Sequence, residues 1–140
     1  MRRLALVALA LPLLAGCSWS PFLIGFGRAT AQEALASEAK AQVPNWIKAE
    51  NLPPDAVPGA NLFAVAGCTA CHTYDGAGGS NLGAPDLTGI GTRDLGISLE
   101  IRHLRCPSCV VPGSPMPVIR LGKRRLRELA IFLEASKGTH

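Results

Sequence analysis

At 140 residues the chain has room for one domain plus targeting and linker sequence, not for two domains. The formal charge of +4 shrinks if Arg2 and Arg3 leave with a signal, from 14 basic residues to 12 against 10 acidic ones, a balance too mild for a nucleic-acid partner. From Pro58 to Gly138 the only aromatics are Phe63, Tyr74 and Phe132, and a domain this small is marginal without a disulfide, a metal or another staple.

The N-terminus opens with the basic Met1-Arg2-Arg3 and continues in an apolar run from Leu4 to Leu14, broken only by Pro12. That is the layout of a secretory signal, so residues 1–16 are expected to be a signal peptide. The run ends in Leu13-Leu14-Ala15-Gly16-Cys17, which resembles the bacterial lipobox. The resemblance implies that Cys17 is lipidated and becomes the mature N-terminus. An uncleaved anchor is the rival: the 24 residues between Arg3 and Arg28 carry no charge, enough for a bilayer core of about 30 Å at 1.5 Å per residue. Pro12, Pro21 and the polar Cys17-Ser-Trp-Ser20 insert weaken that rival. Either way the folded part is expected outside the cytoplasm, periplasmic or on the outer face of the cell membrane, and tethered.

From Ala29 to Glu50 the composition is helix-prone, rich in Ala, Glu and Lys. Three prolines between Asn51 and Pro58 then break any helix. Residues 17–55 therefore read as a lipidated N-terminus and spacer, and 56–140 as the functional domain. Trp46 is the one spacer residue with a reason to pack on that domain.

A helix with proline in its first turn starts at Pro58 and runs toward Cys68, with Phe63 and Ala66 on one face. Tyr74 to Thr92, with six glycines, reads as loop. Ser98 is placed to cap a helix in which Ile97, Ile101 and Leu104 share a face. The last helix runs from about Lys123 to Ser136, apolar at Leu126, Leu129, Ala130 and Leu133, with Gly138 as its stop. Arg120, Lys123, Arg124, Arg125 and Arg127 concentrate the remaining positive charge there, as a solvated face or as a docking patch for an acidic redox partner.

Cys68-x-x-Cys71-His72 is the attachment pattern for c-type haem. Two thiols separated by two residues reach the two vinyl groups of one porphyrin, and the next residue places an imidazole under the iron. The alternatives are a disulfide, a thioredoxin-like pair, or half of a zinc site completed by Cys106-Pro107-Ser108-Cys109. The thioredoxin reading lacks its βαβ context.

Three segments then stand in order: Gly67-Cys-Thr-Ala-Cys-His72, Gly83-Ala-Pro85-Asp-Leu87, and Val110-Val-Pro-Gly-Ser-Pro-Met116-Pro117. Together they resemble the small monohaem His/Met cytochrome c family over roughly residues 58–138. The resemblance implies an all-α, cytochrome c-like fold of three to four short helices around one covalent haem c. The first and last helices would cross near Gly59, Phe63 and Phe132. The Pro85 carbonyl would accept a hydrogen bond from His72, and Leu87 would pack on the porphyrin.

Met116 is the only methionine beyond the initiator, 44 residues after His72 and held between Pro115 and Pro117. The flanking prolines keep the backbone extended, which suits presenting a thioether at a fixed place. With the resemblance added, His72 and Met116 are the expected axial pair. His103, off the apolar face of its helix, reads as a surface residue, with bis-histidine ligation the minor alternative. His140 is expected to fray.

Cys106-Pro107-Ser108-Cys109 departs from the family pattern. No histidine follows Cys109, so a second covalent haem is not expected. In an oxidising compartment these two cysteines default to a disulfide.

These readings converge on a membrane-tethered one-electron carrier, not an enzyme. A His/Met iron has no open position for a small-molecule substrate. A quinol-oxidising complex is the expected donor and a terminal oxidase or other reductase the acceptor, with the membrane engaged through the lipid anchor. The alternatives are an electron-entry subunit of a periplasmic redox enzyme, a small peroxidase, or a thiol-linked redox sensor resting on Cys106 and Cys109.

Overall fold

The computed structural model describes residues 30–138. Cys17, the apolar N-terminal run and His140 lie outside them. The described chain is mostly helical, with α1 at Ala31–Ala49, α2 at Val57–Val65, α3 at Ile97–Arg105, α4 at Pro107–Val110 and α5 at Lys123–Ala135. Two short strands, β1 at Thr73–Tyr74 and β2 at Ala77–Gly78, pair antiparallel between α2 and α3. None of these helices is long and apolar enough to cross a membrane.

Helices α2 and α5 cross at close range. A Cβ on Gly59 would lie 2.1 Å from the Glu128 carbonyl oxygen and 2.6 Å from Phe132 Cβ, so only glycine fits the contact. Phe63 and Phe132 meet beside it, ring centroids 5.6 Å apart. The crossing expected near Gly59, Phe63 and Phe132 is thus where the two helices pack, and α5 turns Leu126, Leu129, Phe132 and Leu133 inward as its spacing requires.

The spacer reading of residues 17–55 needs correcting from Thr30 onward. Thr30 and Glu33 form a capping box, with Glu33 N–H on Thr30 Oγ1 at 3.2 Å and Thr30 N–H on Glu33 Oε2 at 2.6 Å. The helix behind that cap is part of the core. Ala39, Val43 and Trp46, spaced four and three residues apart, are buried along one stripe. Trp46 is fully buried, 4.8 Å from Tyr74 and 6.2 Å from Phe63 between ring centroids. A fourth aromatic is thereby supplied from upstream to join the three of the 58–138 stretch. Within the described residues, α1 belongs to the same packed core as residues 56–138.

Glu50, just past α1, locks this arrangement. Its carboxylate accepts the Tyr74 hydroxyl, the Lys137 N–H at 2.8 Å and the Gly138 N–H at 3.0 Å. Tyr74 Oη also lies 2.7 Å from Ser136 Oγ, which accepts the Gly89 N–H at 3.2 Å. Burial and the Glu50 carboxylate push the Tyr74 phenol far above its usual range, so it remains a neutral hydrogen-bonding group. One buried polar cluster ties the end of α1, the hairpin, the glycine-rich loop and the end of α5 together.

Ser98 does not cap α3. Gly96 holds the cap position, and its N–H is taken by Glu134 Oε1 on α5 at 2.6 Å. Tertiary packing against α5 has replaced the local cap.

Candidate haem site

Cys68, Cys71 and His72 share one turn. Gly67, at φ +87°, bends the chain out of α2 into a tight 3-10 turn over Cys68–Ala70. The Cys68 carbonyl then accepts both the Cys71 N–H at 3.2 Å and the His72 N–H at 2.9 Å. Both cysteines are free thiols, and they and His72 are half-buried. Burial pushes the Cys68 thiol up to about 11, so at neutral pH it is protonated.

The glycine-rich loop returns over this turn and fixes it. Gly79 N–H meets the Thr69 carbonyl at 2.9 Å, Asn81 N–H the Cys71 carbonyl at 3.0 Å, and Leu87 N–H the Thr73 carbonyl at 2.9 Å. Gly78 has to be glycine, because a Cβ there would meet the His72 carbonyl oxygen at 2.5 Å and its φ is +93°. The loop also delivers Pro85. Its carbonyl oxygen sits 2.9 Å from His72 Nδ1, which donates to it and leaves Nε2 with the free lone pair.

Met116 lies in an extended segment between α4 and α5. Its N–H bonds Ser114 Oγ at 3.3 Å, and Ile119 N–H ties the segment to the Leu104 carbonyl at 2.9 Å. Met116 is half-buried against the same apolar core that Cys68 and Leu87 touch, together with Ile90, Ile119 and Leu121. His103, read as a surface residue, is instead half-buried. Its imidazole is held below the usual histidine range by burial first and by His72 second. It has this environment because Leu104 beside it turns into the core and carries the helix face inward.

Cys106 and Cys109 are joined by a disulfide around the α3–α4 junction. Among the described residues no three His, Cys, Asp or Glu side chains gather into a metal-binding group, so the two cysteine pairs do not build a shared zinc site. The basic side chains Arg120, Lys123, Arg124, Arg125 and Arg127 are all exposed, and Arg124 pairs with Glu128 one turn on.

Two free thiols and an imidazole with its Nε2 available occupy one turn. A thioether and several half-buried aliphatic side chains border the same core. This donor set fits a flat apolar cofactor held covalently at two points and ligated at its metal. Residues 56–105 match the family model described as Cytochrome c.

Over that stretch the chain is similar to cytochrome c.

The cofactor of such a domain is haem c, covalently bound, and its role is electron transfer. The match takes in α2, the thiol-bearing turn, the hairpin, the glycine-rich loop and α3. It ends at Arg105, ahead of the Cys106–Cys109 disulfide and of Met116, and it starts after α1. No curated protein matches the chain. The residues that sequence reasoning missed are Glu50 and Ser136, whose partners lie up to 88 positions away in the chain. No local signal marks such contacts.

Proposed function

We propose that this chain is a membrane-tethered one-electron carrier in which Cys68 and Cys71 hold haem c through thioethers and His72 and Met116 are its axial donors. The observation that carries the reading is the His72 Nδ1–Pro85 hydrogen bond at 2.9 Å on the turn that bears both thiols. That bond selects the tautomer, orients the ring and raises the basicity of Nε2.

Bound there, haem c supplies a ferric/ferrous couple that carries one electron at a time. The chain's own residues make that couple a closed one. His72 and Met116 would both donate to the iron and would leave it closed to a substrate. A thioether as the second donor favours the reduced state and raises the potential above that of an imidazole pair. Pro115 and Pro117 restrict the backbone on either side of Met116, which limits its departure.

The N-terminal sequence supports the tether. Signal-like residues 1–16 lead to Cys17, and 12 residues separate it from the capped start of α1 at Thr30. With α1 inside the domain the linker is short, reaching about 40 Å when fully extended. Such a linker confines the domain to an extracytoplasmic membrane surface and raises its effective concentration near redox complexes there. A quinol-oxidising complex as donor and a terminal oxidase or other reductase as acceptor suit that placement.

The test is to coexpress the chain with haem-maturation machinery and to compare it with Met116→Ala. The ferric wild type is expected to show the weak charge-transfer band of methionine-ligated haem and to bind carbon monoxide slowly when reduced. Met116→Ala is expected to lose the band and bind carbon monoxide rapidly. Rapid binding by the wild type would contradict the closed carrier and favour a peroxidase-like site.

A further inference from the structure

The Cys106–Cys109 disulfide has no part in the haem site, and its surroundings are those of a reactive group. Cys109 is exposed. Cys106 lines a shallow, open surface cleft with Ser98, Ile101, Arg102 and Arg105. No carboxylate lines the cleft. Among the described residues the one ion pair is Arg124–Glu128, so Arg102 and Arg105, both exposed and both lining the cleft, have no carboxylate partner there. The bridge is also a weak staple. Cys109 N–H to the Cys106 carbonyl at 3.0 Å and Val111 N–H to the Pro107 carbonyl at 2.8 Å already hold the α4 turn. A ring closed over so few residues removes little chain entropy.

We propose that Cys106–Cys109 is a thiol–disulfide exchange site for small anionic thiols, with Arg102 and Arg105 as the groups that attract them. The incoming thiolate attacks the exposed Cys109 Sγ. The Cys106–Cys109 bond breaks and its electron pair leaves on Cys106 Sγ, in the cleft that Arg102 and Arg105 also line, where positive charge stabilises a thiolate. A second thiolate attacks the external sulfur of the mixed disulfide and releases Cys109. Two thiols become one external disulfide, and two electrons with two protons end on Cys106 and Cys109. Neither thiol of this pair takes part in haem attachment, and the thioethers at Cys68 and Cys71 do not exchange.

The experiment uses the haem-loaded chain at neutral pH and low ionic strength, with glutathione as the anionic thiol and cysteamine as the cationic one. Release of the two protein thiols is followed by alkylation and intact mass, and rate constants are expressed per thiolate. Glutathione is expected to react about tenfold faster than cysteamine. The ratio is expected to collapse toward one at about 1 M salt and in Arg102→Gln/Arg105→Gln. Equal rate constants for the two thiols in the wild type would overturn the proposal. So would a bridge that resists both reagents while the protein is folded.

Discussion

The chain holds two Cys-x-x-Cys pairs of the same spacing, Cys68–Cys71 and Cys106–Cys109, in opposite states. The first pair is unbridged, half-buried, and followed by a histidine whose Nδ1 is tied to Pro85. The second is oxidised, with Cys109 exposed and two arginines flanking Cys106. Burial holds the Cys68 thiol protonated, which makes it a poor partner for exchange. Spacing sets which geometries a pair can reach; burial and neighbouring charge decide which chemistry it performs.

The first pair depends on a buttress that the second lacks. Helix α1 runs beside the thiol-bearing turn: a Cβ on Gly67 would touch Gln32 Nε2 at 3.2 Å, and one on Gly79 would touch Leu35 Cδ1 at 3.7 Å. Trp46→Ala is therefore expected to cost about 3–5 kcal/mol, a large share of the stability of a domain this size. Denaturant unfolding of the haem-loaded protein measures it. A loss below about 1 kcal/mol would return α1 to the role of a spacer.

Removing the second pair is expected to cost less. Cys106→Ser/Cys109→Ser loses only a short ring, about 2 kcal/mol or less, and leaves the yield of covalent haem unchanged. A fall in haem yield would mean that the pair guides attachment at Cys68 and Cys71, and the separation between the two sites would fail.

The smallest effect concerns Glu100, on the helix that leads to the second pair. It is 7% exposed, and burial first, then Glu134, raise its pKa above the ordinary 4.5, with Arg93 opposing. A raised folded pKa means the fold favours the protonated form. The stability lost grows as pH rises through that range and is fully present at neutral pH. Glu100→Gln is expected to unfold later than wild type at pH 7, with the difference vanishing below about pH 3, where both folded and unfolded wild type hold the proton. A difference that persists unchanged at low pH would assign the effect to packing.

Much of the site could be read in the residues because it is built from local geometry. The Cys68–His72 turn, the proline at the start of α2 and the 3.6-residue spacing of α5 all act over a few positions, whereas the glycine of the α2–α5 crossing came through the family resemblance. The Pro85 contact to His72 came through the family resemblance and is present; Leu87, expected on the porphyrin, packs against the apolar core. Helix α1 was legible as a helix and illegible as core. Its buried stripe is narrow, most of its residues are charged or small, and Pro44 interrupts its hydrogen-bond ladder. Ser98 followed local capping rules that the Gly96–Glu134 contact overrode. Glu50, Tyr74 and Ser136 meet only because the chain ends return to one place.

The most direct test of the account is peptide mapping of the haem-loaded chain by mass spectrometry. One haem is expected on the peptide bearing Cys68 and Cys71, with Cys106 and Cys109 recovered as a disulfide. Haem on the Cys106–Cys109 peptide, or none bound covalently, would contradict it.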